Sequence, residues 1–225
     1  MTSPRIRVEA IGREGEPVVI VDGFSPEPDR LVAEAAALPF AVMGAFYPGV
    51  RARVAPSYFD GLGVILAPVV RDIFGYRRRL TFDRALYSLA TTPPDRLSLA
   101  QRIPHFDGVE PGLIAILHYL TREDRGGTSF YRQQSTGFET VDTARRAHYL
   151  EALREDFARH GEPPPAYVAG DSPIFERIAT FAPAYNRALI YRSSLLHCAA
   201  LPHDAAFAAN VADGRLTVAS FLSAE

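Results

Sequence analysis

With 225 residues, 48% of them apolar and 22% charged, the chain has ordinary globular composition and enough apolar material for a real core, which excludes a disordered polypeptide. Its 24 basic and 26 acidic residues leave a net charge of −2, so no field gathers phosphates or an anionic membrane surface, and nucleic acid is a poor partner. All the basic residues are arginine, so lysine Schiff-base chemistry is excluded and a substrate carboxylate can be held by a fixed charge only through arginine.

The first element predicted is a buried strand at "PVVIVDGF" (17–24). An amphipathic helix follows, with Ser25 as N-cap, Pro26 at its first position and Leu31, Val32, Ala35 and Leu38 on one face. Residues 40–76 are rich in Gly and Pro, with one helical candidate at "GLGVILAPVVRDIFG". The basic run "YRRRL" (76–80) reads as a solvated edge. Strands are expected at "LTFDRALYSLA", "LIAILHYLT" (113–121), "GTSFYR", "RALIYRSSLLHCAAL" and "GRLTVASFLS". Between them "DTARRAHYLEALREDFARHG" predicts a helix, with Asp142 as N-cap and Gly161 as C-cap.

Strands that do not alternate with helices disfavour a doubly wound parallel sheet. The expectation is a mainly β (α+β) fold: one domain over 1–225 with a jelly-roll core at about 80–223, N-terminal helices and a helical insertion at about 135–180. The lone cysteine, Cys198, excludes a disulfide framework or a cysteine-rich zinc site. With no apolar leader and no run near the ~20 apolar residues of a membrane span, a soluble cytoplasmic protein is expected.

The stretch "IPHFDG" (103–108) carries the chemistry. On extended backbone His105 and Asp107 share a face and can offer an imidazole nitrogen and a carboxylate oxygen to one ion. A third ligand is needed, and His197 in "LLHCA" is the best candidate. Two histidines and one carboxylate leave one side of an ion open, which suits non-haem Fe(II) oxygen chemistry. Arg215 and Thr217 in "RLTVASF", two residues apart on a strand, can receive a carboxylate through a charge-assisted fork and one further hydrogen bond.

The order "HFD" (105–107), "HYLTREDRGGTSFY" (118–131), "LLHCA" (195–199) and "RLTVASF" (215–221) resembles the Fe(II)/2-oxoglutarate-dependent oxygenases, specifically the prolyl-hydroxylase-like branch of the double-stranded β-helix (cupin-like) fold. The resemblance spans about two thirds of the chain. It implies His105, Asp107 and His197 as Fe(II) ligands and Arg215, with Thr217 and Tyr119, on the distal carboxylate of 2-oxoglutarate. Tyr87 in "ALYSLA" is similar to another family tyrosine near the cosubstrate. With O2 as co-reactant, the implied dioxygenase reaction hydroxylates an amino acid, peptide or small natural product and releases succinate and CO2. The intact Asp107 separates the chain from halogenating relatives, which lack that carboxylate. Arg215 follows His197 by eighteen positions, a longer interval than the resemblance leads one to expect, so this segment has to loop out.

Each residue also has a plainer reading. His105 beside Pro104 is, alone, a turn histidine, Arg215 after Asp213-Gly214 a hairpin-exit arginine, and Tyr119 a core tyrosine. His203 is a rival ligand, His118 points away from Tyr119 as a structural group, and Cys198 is core rather than a nucleophile. Two alternative functions stay open: a cupin-like metalloprotein that uses the triad without 2-oxoglutarate, and a non-catalytic jelly-roll binding module.

Overall fold

The computed structural model describes residues 3–202, 205 and 207–225. Ten strands run β1 Arg5–Ile11, β2 Glu16–Asp22, β3 Gly49–Arg53, β4 Leu80–Ala90, β5 Leu113–Tyr119, β6 Gly127–Gln133, β7 Phe175–Phe181, β8 Arg187–Arg192, β9 His197–Ala200 and β10 Leu216–Ala224. The helices are α1 Pro28–Ala37, α2 Gly63–Asp72 and α3 Arg146–His160. All pairings are antiparallel: a large sheet ordered β1-β2-β8-β5-β10-β4-β3 faces a small one ordered β7-β6-β9. This is the expected jelly roll. His105 extends the small sheet through a bridge to His197.

The period of two along each strand divides the large sheet into an outer and an inner face. Outward go Val19, Val21, Tyr87, Leu89, Ile114, Ile116, Val218 and Leu222, covered by Leu31 and Ala35 of α1 and Leu66, Val69 and Val70 of α2. Inward go Val18, Ile20, Ala115, Tyr119, Leu189 and Tyr191, meeting Phe130 of the small sheet. A third cluster lies behind the small sheet, where Tyr149 and Leu153 of α3 pack on Tyr131, Phe175 and Leu196.

Several elements depart from the sequence expectation. Helix α1 begins at Pro28, because the Ser25 hydroxyl accepts from Glu27 N–H at 3.2 Å and Ser25 is clasped by Asn186, which fixes a turn ahead of the helix. Asp142 caps the turn before α3, accepting from Arg145 N–H at 2.9 Å, while Gly161 ends the helix at φ 79° as expected. The segment 135–180 is more than a helical insertion, since β7 pairs with β6 throughout and completes the small sheet.

This segment is also tied to the N-terminal hairpin by reciprocal carboxylate capping. Glu139 accepts from Arg13 and Glu14 N–H at 2.8 and 3.0 Å, and Glu14 accepts from Glu139 and Thr140 N–H, each at 3.2 Å. Arg132 neutralises the fully buried Glu139 by a two-nitrogen contact.

Candidate functional site

His105 exchanges both backbone hydrogen bonds with His197, His105 N–H to His197 O at 2.9 Å and His197 N–H to His105 O at 2.8 Å. Asp107 N–H donates to Ser193 O at 2.7 Å, which pins the other end of the segment to the β8–β9 turn. Phe106, between them, points the opposite way and meets Tyr149 of α3 edge-on at 5.8 Å. Extended parity and the Phe106 anchor thus bring His105 and Asp107 to one side, as expected.

One donor atom from each of His105, Asp107 and His197 lies within 4.8 Å of the others. His105 Nε2 is 3.9 Å from Asp107 Oδ1, and His197 Nε2 is 3.4 Å from Asp107 Oδ2. Both gaps are long for direct hydrogen bonds and near the ~3 Å between adjacent ligands of an ion held at ~2.1 Å. His197 Nδ1–H donates to Leu195 O at 2.9 Å, which leaves Nε2 with its lone pair facing Asp107. Tyr191 packs edge-on against that ring at 4.9 Å. Burial against its neighbours, then the adjacent His197, push His105 down to about 4, although the cavity mouth leaves half its side chain reachable by solvent. It is therefore a neutral imidazole at pH 7.

The three residues line a cavity of about 110 Å³ between the two sheets, which Arg215, Thr217, Thr128 and Tyr191 also line. Arg215 is 5% exposed and donates from Nε to Gly126 O at 2.8 Å and from Nη2 to Gly127 O at 2.9 Å. The paired glycines allow this approach: Gly126 has φ 93°, and a Cβ on Gly127 would stand 1.9 Å from Phe181 O. Tyr119 pairs with Thr217 in register, shares a 2.6 Å hydrogen bond with Thr128 and lies under the Arg215 guanidinium, 5.5 Å from ring centroid to Cζ. Arg215, Thr217, Thr128 and Tyr119 thus form one polar corner beside the triad. Gly214 N–H donates to Asn210 O at 2.9 Å, closing a turn that sets Arg215 at the head of β10.

Tyr87 is not brought to the cavity. It pairs with Val218 and Ala52 on the outer face and packs in the helix-covered core, its hydroxyl buried without a partner. The inward position on β4 is Ser88, one residue on. His118 is structural: its Nε2–H donates to Asn186 Oδ1 at 2.9 Å, and its Nδ1 accepts from the Tyr58 hydroxyl at 3.3 Å. Burial pushes the Cys198 thiol up to about 12, which removes it as a nucleophile. His203 lies outside the described residues.

Sequence reasoning missed Tyr47, Arg51, Tyr167 and Tyr191, all on the cavity wall. Alternation within "GVRAR" is the signal for Arg51, since Val50 and Ala52 face the outer core and leave Arg51 inward.

A family model described as a family of unknown function, DUF6445, matches residues 2–222. The chain belongs to this family. No curated protein matches it. Among solved structures, HygX from Streptomyces hygroscopicus with nickel and 2-oxoglutarate bound is 14% identical, with TM-score 0.59 over 92% of this chain and 82% of that one. The non-haem α-ketoglutarate-dependent epimerase SnoN from nogalamycin biosynthesis is 14% identical, with TM-score 0.54 over 93% and 79%. The collagen prolyl hydroxylase of Paramecium Bursaria Chlorella virus-1, as its 2-oxoglutarate complex, is 10% identical, with TM-score 0.50 over 94% and 98%. The DUF6445 chain shares the fold of these proteins. Among its described residues no helix is long and apolar enough to cross a membrane.

Proposed function

We propose that the chain is an Fe(II)/2-oxoglutarate-dependent dioxygenase that hydroxylates a small-molecule substrate, residues 1–225 acting as one catalytic domain. The observation that carries this reading is the convergence of His105, Asp107 and His197 in the same cavity that Arg215 lines. His105, Asp107 and His197 would hold the iron, and when bound the iron and 2-oxoglutarate together supply a two-electron oxidation by O2 with release of succinate and CO2. Similar folds carrying 2-oxoglutarate support it: HygX has been solved with nickel, 2-oxoglutarate and hygromycin B, a small-molecule ligand.

The chain's own groups divide the remaining work. The Leu195 carbonyl accepts from His197 Nδ1–H and so turns Nε2 toward Asp107, and the low His105 pKa keeps that ring unprotonated at neutral pH. Arg215 supplies the fixed charge for the distal carboxylate of 2-oxoglutarate, with the hydroxyls of Thr217 and Tyr119 beside it. Tyr191 and Phe130 exclude water behind His197.

Mn(II) binding by equilibrium dialysis, with 2-oxoglutarate titrated afterwards, tests the proposal. One Mn(II) per chain, lost in His197→Ala, and 2-oxoglutarate binding that requires the metal are expected. Metal binding equal in wild type and His197→Ala would overturn it.

A further inference from the structure

A second arginine looks into the cavity, and the cosubstrate reading leaves it without work. Arg51 on β3 lines the cavity with the triad, and its Nε is buried with no hydrogen-bond partner. Its guanidinium is laid on the Tyr47 ring, 4.0 Å from Cζ to the ring centroid, which fixes its direction without using its N–H groups. Desolvation weakens its hold on its proton, and the charges acting on it are Tyr47 and Asp107 on one side and Arg84 on the other. Asp107 is committed to the triad, so among the described residues this cation has no carboxylate of its own. A partly buried, unpaired guanidinium is a costly arrangement unless an anion from outside the chain completes it.

The sheet register separates this group from the polar corner. Thr217 pairs with Ser88 and Ser88 with Arg51, so one inward row runs from β10 through β4 to the edge strand β3. Two strand spacings of ~4.8 Å put the Arg51 backbone about 10 Å from that of Thr217, on the far side of the row from Tyr119. The rim there is apolar and aromatic: Phe46 is 78% exposed beside Tyr47, and Tyr167 stacks on Phe207 at 5.3 Å and 11°. Tyr167 is fixed in turn by donation to Thr92 O at 2.7 Å.

Resting on the oxygenase reading above, we propose that Arg51 anchors the primary substrate, a small carboxylate with an apolar or aromatic body, while Arg215 serves the cosubstrate. The planar, singly charged Arg51 fork matches the two oxygens of one carboxylate, and the unpartnered Tyr47 hydroxyl on the same wall can add one hydrogen bond. The carboxylate docks on Arg51 and the body lies along Phe46 and Tyr167, in the cavity that His105 and Asp107 also line.

The test uses the full chain labelled with 15N-arginine, loaded with Zn(II) and 2-oxoglutarate, and followed by its arginine Nε–H resonances. The Arg51 resonance is assigned by its disappearance in Arg51→Gln and in Arg51→Lys, so one folded variant suffices. The probes are 3-phenylpropanoate, its amide and phenyl phosphate. The acid is expected to shift the Arg51 resonance saturably and the amide to leave it in place. In Arg51→Gln the acid should bind roughly tenfold or more weakly, with 2-oxoglutarate affinity within about twofold of wild type. Equal shifts by acid and amide, stronger binding of phenyl phosphate, or a loss of 2-oxoglutarate affinity in Arg51→Gln as large as in Arg215→Gln would each overturn it. Repeating the acid titration without Zn(II) and 2-oxoglutarate separates the two readings, because a failure of cosubstrate binding leaves the acid-specific shift at Arg51 standing or falling alone.

Discussion

Replacing Arg215 by Gln tests two roles of one side chain that an activity assay would merge. Arg215 is 5% exposed and holds the carbonyls of Gly126 and Gly127 at 2.8 and 2.9 Å. Losing the fork leaves two buried carbonyls without a charged donor, and at about 1–3 kcal/mol for each unsatisfied group the variant should lose about 2–6 kcal/mol of stability. Its proposed second role is to hold the cosubstrate carboxylate. A hydrogen bond to a charged group contributes about 1.5–3 kcal/mol, so 2-oxoglutarate should bind about 10- to 150-fold more weakly. Urea unfolding reads the first effect, and calorimetric titration of 2-oxoglutarate into Zn(II)-loaded protein reads the second. Arg215→Lys keeps the charge without the planar fork and should recover part of the affinity and little of the stability. An Arg215→Gln protein that is destabilised yet binds 2-oxoglutarate within about twofold of wild type would make Arg215 a clasp for the glycine turn and nothing more.

The tyrosines divide by strand parity: Tyr119→Phe should weaken 2-oxoglutarate binding about fivefold through one lost hydrogen bond, and Tyr87→Phe should leave it unchanged by the same calorimetry. His118 is fully buried and held down to about 4 by desolvation, against 6.5 when unfolded, so the unfolded chain binds the extra proton between those values. Stability is then complete above pH 6.5 and falls by about 3 kcal/mol as pH drops toward 4, a slope that His118→Asn should reduce in urea unfolding at stepped pH. His105 contributes in the same window in both proteins, so the difference between them is the quantity to read. Removing the fully buried Glu139 carboxylate in Glu139→Ala leaves Arg132 with Glu176 alone and takes the acceptor from the Arg13 and Glu14 N–H groups, and should lower stability by about 3–5 kcal/mol, measured by the same unfolding.

The parts legible in the sequence are those where a local pattern coincides with the global one. Strands β2, β4, β5, β8 and β10 are apolar enough to read alone, β6 is marked by the Gly126-Gly127 pair at its start, and His105 and Asp107 come together because they keep strand parity on either side of Phe106. The rest is hidden for identifiable reasons. Strand β1, "RIRVEAI", is exposed along almost its whole length, so no core pattern marks it. Strand β3 carries arginines because its inner face borders a cavity, and β7, "FERIATF", is intelligible only beside β6, about 45 residues earlier. Tyr87 shows the cost of one residue of parity: it sits next to the inward Ser88, yet is directed into the opposite core. The loss of Ser25 as a cap follows from Asn186, a partner 161 residues away that no local reading supplies.

The central claim is that His105, Asp107 and His197 form an iron site that works on 2-oxoglutarate. Its most direct measurement is succinate formed from 2-oxoglutarate by the purified chain with Fe(II), ascorbate and O2, quantified by mass spectrometry beside Asp107→Ala. Succinate that requires Fe(II) and O2 and falls to background in Asp107→Ala is the predicted result. Equal succinate from the two proteins, or none above background from a wild-type chain carrying one Fe(II), would contradict the account.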